Sequence, residues 1–215
     1  MNSVLVYGGT FDPVHRGHIE SVLGVAQLLG DVKAYLVPCK RPAHRPQPIA
    51  SPEDRLKMLE LATEGRHRIF VDDSELKRGG VSYTFDTLAG YRKNVGGTVP
   101  LFFLMGFDAW VALPTWYRWQ EIVGLAHLLV LERPGAKQAL PECLQRWSEP
   151  RVVGVLEDLM SEASGKICFL SLEQIDVSAS VIRQALVKGE QVEEDINPRV
   201  LEYVKQQNLY SMAFR

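Results

Sequence analysis

The 215-residue chain has little cysteine, little net charge and no long apolar run. Its three cysteines, Cys39, Cys143 and Cys168, are an odd number without CxxC spacing, which argues against a disulfide scaffold and for a reducing compartment. A formal net charge of −2 supplies no global basic field, so no nucleic-acid partner is expected. No stretch reaches the roughly 18 apolar residues of a membrane helix, and the N-terminus lacks the basic start of a signal peptide. These absences predict a cytoplasmic protein with no membrane partner.

What the chain does contain is enough apolar material for a core, because 46% of its residues are hydrophobic. The sequence shows no internal repeat and no low-complexity tract. A single domain over residues 1–215 is therefore the simpler prediction, although the length also suits two small domains. The oligomeric state, monomer or homo-oligomer, is left open because the sequence shows no exposed apolar stripe.

Apolar runs that alternate with helical patterns predict an α/β fold with a parallel sheet. Strands are predicted at residues 3–7, 34–37, 69–71, 101–105, 128–131 and 167–170. The first strand does not alternate apolar and polar residues, which indicates burial on both faces. Helices are predicted after the first glycine pair, from Ser51-Pro52, over 84–91, and over 181–187 and 198–207. Residues 135–150 are expected to form a surface insertion.

The segment of residues 8–18, GGTFDPVHRGH, lies between the first predicted strand and the first predicted helix. Gly8 and Gly9 would let the backbone approach a phosphate, and the helix N-terminus offers free N–H groups with a partial positive charge. If the helix begins near Val14, His15 and His18 share one side of it and can donate to phosphate oxygens. The alternative is a common strand–glycine–helix turn with incidental histidines.

The same segment resembles the signature of the nucleotidyltransferase superfamily in which an HxGH motif binds ATP phosphates. The longer string is similar to that of bacterial nicotinate mononucleotide adenylyltransferases, although phosphopantetheine adenylyltransferases carry a similar one. Two later segments narrow the resemblance, namely Gly106-Phe107-Asp108 followed by LPTWY at residues 113–117, and VSASVIR at 177–183. The latter looks like the second phosphate-binding motif of the family, with Val177 in place of isoleucine and Ser180 in place of threonine.

The resemblance implies a Rossmann-like, doubly wound parallel sheet with helices on both faces and a small C-terminal helical part. It also implies transfer of AMP from ATP to nicotinate mononucleotide, with Mg²⁺ accompanying ATP and no protein metal site. The attacking phosphate oxygen is already ionised, so catalysis needs positioning and charge stabilisation rather than a protein nucleophile. A zinc site of His15, His18 and Cys39 is disfavoured because Cys/His sites usually show tighter paired spacing.

Residue roles follow from the resemblance and from side-chain chemistry. His18 is expected to stabilise the transition state, His15 to bind ATP phosphates and Arg183 to bind the β- or γ-phosphate. Ser178, at the start of the late helix, would add phosphate donors. The remaining residues expected at the ATP site are Gly8, Gly9, Thr10, Phe11, Gly106 and Asp108, the last either binding the adenylate or capping a helix.

The second substrate is expected to meet a different set of residues. Trp116 should stack on the pyridine ring, since offset stacking of flat rings contributes roughly 1 kcal/mol. Thr84 and Tyr117 are expected to meet the nicotinate carboxylate through backbone N–H groups. Lys40 and either His44 or Arg45, in the proline-rich loop, would bind phosphate or close over the site, and a plain solvated loop is an equal alternative.

Three other functions compete with this one. Phosphopantetheine adenylyltransferase is disfavoured by the LPTWY segment and by the chain length. A dinucleotide-binding sensor would bind without releasing pyrophosphate, and the presence of His15, His18 and Arg183 argues against it. An RNA-binding protein of synthetase-like fold would need an extended basic face, which the sequence lacks.

Overall fold

A computed structural model describes residues 3–43, 46–132, 139–172 and 177–211. Within these residues seven parallel strands form one sheet in the order β3-β2-β1-β4-β5-β7-β6. The strands are β1 (Ser3–Gly9), β2 (Val32–Pro38), β3 (Ile69–Val71), β4 (Leu101–Gly106), β5 (His127–Leu131), β6 (Val152–Val153) and β7 (Ile167–Leu170).

Helices connect these strands and cover both faces of the sheet. They are α1 (Arg16–Leu29), α2 (Pro52–Thr63), α3 (Ser74–Arg78), α4 (Thr84–Val95), α5 (Phe107–Val111), α6 (Trp119–Leu125), α7 (Glu142–Ser148), α8 (Ala179–Lys188) and α9 (Pro198–Gln206). Single 3-10 turns occur at Leu113–Thr115, Glu149–Arg151 and Leu156–Leu159. The predicted α/β fold with a doubly wound parallel sheet is thereby confirmed.

Two hydrophobic clusters hold the helices on opposite faces, because successive side chains of a strand point in opposite directions. In β1, Leu5 belongs to the cluster shared with α1, α2, α8 and α9, whereas Val4 and Val6 belong to the cluster shared with α4 to α7. All three side chains are buried, which explains why the first strand shows no apolar–polar alternation.

The strand order reverses between β1 and β4. From β1 the chain builds outward through β2 and β3, and from β4 it builds in the other direction through β5 and β7. The carboxyl ends of β1 and β4 lie side by side, with Tyr7 opposite Leu104. In open α/β sheets a crevice at this reversal is the usual ligand site.

Most predicted elements are confirmed, with shifts of one to four residues at their ends. One difference changes the local picture: Gly8 and Gly9 belong to β1, paired with Val37 and Pro38, rather than to a turn after it. A second is that α1 begins at Arg16 instead of near Val14, with His15 as its N-cap residue.

Short elements escaped prediction because they carry too few residues to show a period. They are α3, α5, α6, α7 and the two-residue strand β6. The expected surface insertion at 135–150 contains α7, which contributes the buried Leu144 to a core cluster. Its first residues, 135–138, lie outside the described part of the chain. None of the helices in the described ranges is long and apolar enough to cross a membrane.

A buried histidine gives the fold a pH dependence. His127, at the start of β5, is fully buried; its Nε2 lies 3.0 Å from the Glu162 carbonyl oxygen, and the Lys166 N–H donates to its Nδ1 at 3.2 Å. This arrangement requires the neutral ring with hydrogen on Nε2. Burial lowers the pKa of His127 from its ordinary value of 6.5.

We predict that the folded state loses stability as pH falls below about 6.5, because the unfolded chain then binds a proton that folded His127 resists. Urea unfolding between pH 5 and 8 should show a steeper fall in the free energy of unfolding for the natural chain than for His127→Gln. Glu75, whose pKa is raised by burial, acts in the opposite sense but equally in both proteins. Parallel curves for the two proteins would contradict the assignment to His127.

Candidate functional site

Two adjoining cavities open where β1 and β4 end. The larger has a volume of about 820 Å³ and the smaller about 290 Å³. Four residues line both of them: Tyr7, Thr10, His18 and Gly106. Two molecules that occupy the two cavities would therefore meet beside the His18 ring and the Thr10 backbone.

Two helix N-termini open into the larger cavity. His15 caps α1 and Ser178 caps α8, with the Ser178 hydroxyl oxygen accepting the Val181 N–H at 3.3 Å. The first-turn N–H groups of a helix lack carbonyl partners within it and carry a partial positive charge. Because Gly17, Ala179 and Ser180 also line this cavity, both ends face the same space. A cavity of this construction suits a polyanion such as a chain of phosphates.

The two histidines of the signature lie ring against ring. The centroids of His15 and His18 are 3.7 Å apart, and the His15 backbone N–H donates to His18 Nδ1 at 3.3 Å. The Phe11 and His18 rings pack in an edge-to-face arrangement, with centroids 5.0 Å apart. His15 is buried whereas His18 is partly exposed, so His18 presents the more accessible imidazole.

Phe11 contributes to the larger cavity from within the core. Its ring is 1% exposed and covers Gly9 so closely that a Cβ there would lie 2.9 Å from the ring. Gly9 therefore has to be glycine for packing, while Gly8 has room for a Cβ 3.5 Å from Phe103. Because Phe11 is buried, its contribution to the predicted ATP site is indirect: it packs against the His18 ring and holds it in place.

Asp12 connects the signature to distant parts of the chain. Its buried carboxylate accepts the N–H groups of Ile49 and Ala50 at 2.8 and 3.0 Å, and the Tyr210 hydroxyl at 2.8 Å. Residues 46–49 line the larger cavity, so this carboxylate fixes one wall of it. The sequence indicated Asp12 only as part of the motif, because its partners are 37, 38 and 198 residues away.

Arg183 reaches the larger cavity from the second turn of α8. Its guanidinium donates to the Asp12 carbonyl oxygen at 2.6 Å and lies 3.9 Å from the Asp12 carboxylate. The side chain is 28% exposed, which leaves it open to the cavity. The structure therefore brings Arg183 together with His15, His18 and Ser178 in the lining of one cavity.

The smaller cavity is lined by aromatic rings and a third helix N-terminus. Trp116 packs edge-on against Phe103 with centroids 6.3 Å apart, and Thr84 is the first residue of α4. Tyr117 is 47% exposed, and its ring packs against that of Tyr83 with centroids 4.8 Å apart. A flat ring with an anionic substituent matches this combination of aromatic walls and free N–H groups.

Gly106 and Asp108 form the edge between β4 and α5. Gly106 is the N-cap of this helix and Asp108 its second residue, so the capping role considered for Asp108 falls to Gly106. Both residues line the smaller cavity, and nothing lies within 4 Å of a Cβ placed on Gly106. That open space lets a ligand approach the backbone at the strand end.

Lys40 lies apart from this group. Its ammonium donates to the Leu76 carbonyl oxygen at 3.1 Å, and its backbone N–H donates to the Ser82 hydroxyl at 2.9 Å. It is absent from the described lining of either cavity, and it ties the loop after β2 to α3. The structure thus favours a supporting role over the predicted phosphate contact. His44 and Arg45 lie outside the described residues.

Two buried charged residues near the site were not found from the sequence. The Arg55 guanidinium, fully buried in α2, donates to the carbonyl oxygens of Thr10, Lys40 and Ala50 at 2.8, 3.4 and 3.4 Å. Glu75 lines the smaller cavity and accepts the Thr87 hydroxyl at 2.5 Å, and burial raises its pKa. Arg55 could have been suspected, because it shares an i, i+3, i+4, i+7 stripe with the buried residues 58, 59 and 62.

Comparison with known proteins first defines the class. Residues 6–185 match the cytidylyltransferase-like family, so the chain is a nucleotidyltransferase of this kind. Among curated proteins, it is 41% identical to nicotinate-nucleotide adenylyltransferases from Pectobacterium atrosepticum and Escherichia coli O139:H28. These alignments span 206 and 207 residues, which are 95% of this chain and 96% and 97% of the relatives. The chain belongs to the nicotinate-nucleotide adenylyltransferase family.

The solved structures agree on the fold. Plasmodium falciparum nicotinic acid mononucleotide adenylyltransferase, solved with NaAD, superposes with a TM-score of 0.72 at 17% identity, covering 100% of this chain and 99% of that one. The same enzyme solved with APC gives a TM-score of 0.71 at 18% identity, covering 100% and 98%. These two structures support the fold, whereas the family model and the curated relatives confirm the family resemblance seen in the GGTFDP, LPTWY and VSASVIR segments.

The two phosphate motifs touch at Gly17. A Cβ on this residue would lie 2.9 Å from Val177 and 3.1 Å from the His15 ring, closer than side chains tolerate. We predict that Gly17→Ala pushes the two motifs apart and raises the KM for ATP at least fivefold. The free energy of unfolding should change by less than about 1 kcal/mol, because alanine is the better helix former.

Gly24→Ala is the matched control, since it lies in the same helix and the three nearest atoms to its added Cβ all belong to the Leu172 side chain, the first at 3.2 Å. It should leave the KM for ATP within twofold of the natural value. Steady-state kinetics and urea unfolding of both variants measure the two effects separately. An unchanged KM for Gly17→Ala would show that the contact with Val177 does not shape the ATP site.

Proposed function

We propose that the chain transfers AMP from ATP to nicotinate mononucleotide, giving nicotinic acid adenine dinucleotide and pyrophosphate in the synthesis of NAD. The observation that carries the proposal is the pair of cavities joined at His18 and Thr10. ATP phosphates occupy the larger cavity between two helix N-termini, and the pyridine nucleotide occupies the smaller, aromatic one. The α-phosphorus then lies at the junction.

The reaction needs no protein nucleophile. A phosphate oxygen of nicotinate mononucleotide forms a bond to the α-phosphorus of ATP while the bond from that phosphorus to the bridging oxygen of pyrophosphate breaks. His18, which lines both cavities, stabilises charge on the reacting phosphate, and His15 and Arg183 hold the leaving pyrophosphate. Thr10, Ser178 and the backbone at Gly8, Gly9 and Gly106 add donors and room for close approach.

The smaller cavity selects the second substrate. Trp116 stacks on the pyridine ring, and the N–H groups of Thr84 and Tyr117 receive the nicotinate carboxylate. Asp108 lies on the cavity edge, where a carboxylate can accept hydroxyl hydrogens of a ribose. Lys40 acts through the loop that it holds rather than by direct contact.

Magnesium enters with ATP. Among the described residues no group of three or more histidine, cysteine, aspartate or glutamate side chains is placed to hold a metal. Asp12 is the carboxylate found in the described lining of the larger cavity, and both its oxygens already accept hydrogen bonds. This donor set fits an ion bound mainly by phosphate oxygens and water, the coordination that Mg²⁺ prefers. When bound, the ion neutralises charge on the pyrophosphate.

A reducing, cytoplasmic location is part of the proposal. None of Cys39, Cys143 and Cys168 forms a disulfide in the structure, which fits a reducing compartment. The proposed partners are two small molecules, ATP and nicotinate mononucleotide. A formal net charge of −2 gives no reason to propose a nucleic-acid partner.

The reaction is tested by measuring pyrophosphate release with ATP and either nicotinate or nicotinamide mononucleotide. We predict a kcat/KM for nicotinate mononucleotide at least tenfold higher, because N–H groups placed for a carboxylate pair poorly with a neutral amide. Equal values would refute the selectivity, and no release with either substrate would refute the enzyme. Binding of the dinucleotide without turnover would instead support the sensor.

We also predict that His18→Ala lowers kcat at least a hundredfold, about 2.7 kcal/mol of transition-state stabilisation. The free energy of unfolding should fall by no more than about 1 kcal/mol, the usual cost of a lost helix-cap bond, because the ring is partly exposed and its Nδ1 accepts the His15 N–H. Pre-steady-state turnover and urea unfolding test the two statements separately. A variant with near-normal turnover would remove His18 from the chemical step.

A further inference from the structure

Tyr210 is held in a defined place after the end of α9. The N–H groups of Asn208 and Leu209 donate to the carbonyl oxygens of Lys205 and Val204 at 3.2 and 3.0 Å. Tyr210 itself adopts φ 59°, a left-handed conformation that is unfavourable for a tyrosine, and its side chain is only 2% exposed. Packing and hydrogen bonding must offset that cost, so the position of its hydroxyl is specified.

The Tyr210 hydroxyl donates to Asp12 Oδ1 at 2.8 Å inside the protein. Burial and the neighbouring carboxylate raise the pKa of Tyr210, so the phenol keeps its proton and remains a donor. This bond spans 198 residues and connects the segment after α9 to the middle of the GGTFDP signature.

Asp12 has one further neighbour that matters for the reaction. The Arg183 guanidinium lies 3.9 Å from Asp12 Oδ2, beyond hydrogen-bond distance, while it donates to the Asp12 carbonyl oxygen at 2.6 Å. The carboxylate attracts this cation, and three donors from Ile49, Ala50 and Tyr210 already share its charge. A buried carboxylate that loses one hydrogen-bond donor is stabilised by gaining another. The Arg183 guanidinium, 3.9 Å from Asp12 Oδ2, is placed to become that donor.

We propose that Tyr210 is a positioning residue for ATP binding: by occupying the Asp12 carboxylate, its hydroxyl keeps the Arg183 guanidinium available to the phosphates in the larger cavity. The inference rests on the proposed role of Arg183 as a phosphate contact. It assigns a function to a residue that lies 198 positions from Asp12 and outside the described lining of both cavities.

The test is Tyr210→Phe, which keeps the ring and removes the hydroxyl. Tyr203→Phe is the matched control, because the Tyr203 hydroxyl also donates to an aspartate at 2.8 Å, but to Asp54 of α2, outside the lining of both cavities. We expect Tyr210→Phe to raise the KM for ATP about tenfold and to leave the KM for nicotinate mononucleotide within twofold. Tyr203→Phe should leave both KM values within twofold.

A double-mutant cycle decides whether Tyr210 acts through Arg183. Arg183→Ala should raise the KM for ATP at least tenfold, and adding Tyr210→Phe should change it by less than twofold more. A full tenfold further effect, or an unchanged KM in the single Tyr210→Phe variant, would overturn the inference alone. Normal kinetics for Arg183→Ala would remove the proposed role of Arg183, and the inference with it.

A chemical measurement gives an answer that does not depend on turnover. Phenylglyoxal modifies accessible guanidinium groups, and mass spectrometry follows the rate at Arg183. We expect Arg183 to react at least threefold more slowly in Tyr210→Phe than in the natural chain, because the guanidinium has moved onto Asp12. An equal rate in the two proteins would contradict the proposed competition.

Discussion

The buried carboxylate of Asp12 is the interaction on which the site depends. An ionised group in the protein interior is costly unless every oxygen has donors, and Asp12 obtains them from the backbone at Ile49 and Ala50 and from Tyr210. These donors come from the loop before α2 and from the segment after α9. Hydrogen bonds to one carboxylate therefore connect the loop after β1 with one wall of the larger cavity and with the segment after α9.

Arg55 complements this arrangement with the opposite charge. Its guanidinium lies fully buried and donates to three carbonyl oxygens in two segments at the carboxyl edge of the sheet, one after β1 and one between β2 and α2. Asp12 satisfies backbone N–H groups and Arg55 satisfies carbonyl oxygens, and both act on Ala50. The loops around the cavities are consequently fixed by two buried charges. The cavity surface itself presents helix N-termini, the His18 imidazole and the Arg183 guanidinium to the substrates.

Much of the fold could be predicted because its signals are local. The apolar run of β1, the Ser51-Pro52 start of α2 and the glycine after α1 each depend on a few adjacent residues, and the structure agrees with them. The signature around His15 and His18 was equally readable, since its residues are consecutive. The roles of Asp12, Arg55, Glu75 and Tyr210 could not be predicted, because each depends on at least one partner between 12 and 198 residues away. Lys40 shows the converse. A basic residue in the loop after β2 suggested a contact with substrate phosphate, but its ammonium donates to the Leu76 carbonyl oxygen of α3.

The contact between Gly17 and Val177, and the bond between Asp12 and Tyr210, also set an order of events during synthesis. The ribosome releases the first phosphate motif while most of the sheet, the second motif and α9 have yet to be made. Until Tyr210 emerges, the nascent chain holds an acidic group that its own core cannot yet accommodate. A chain that terminates before Tyr210 would therefore contain the complete HxGH sequence and still lack one of the donors that the buried Asp12 carboxylate uses.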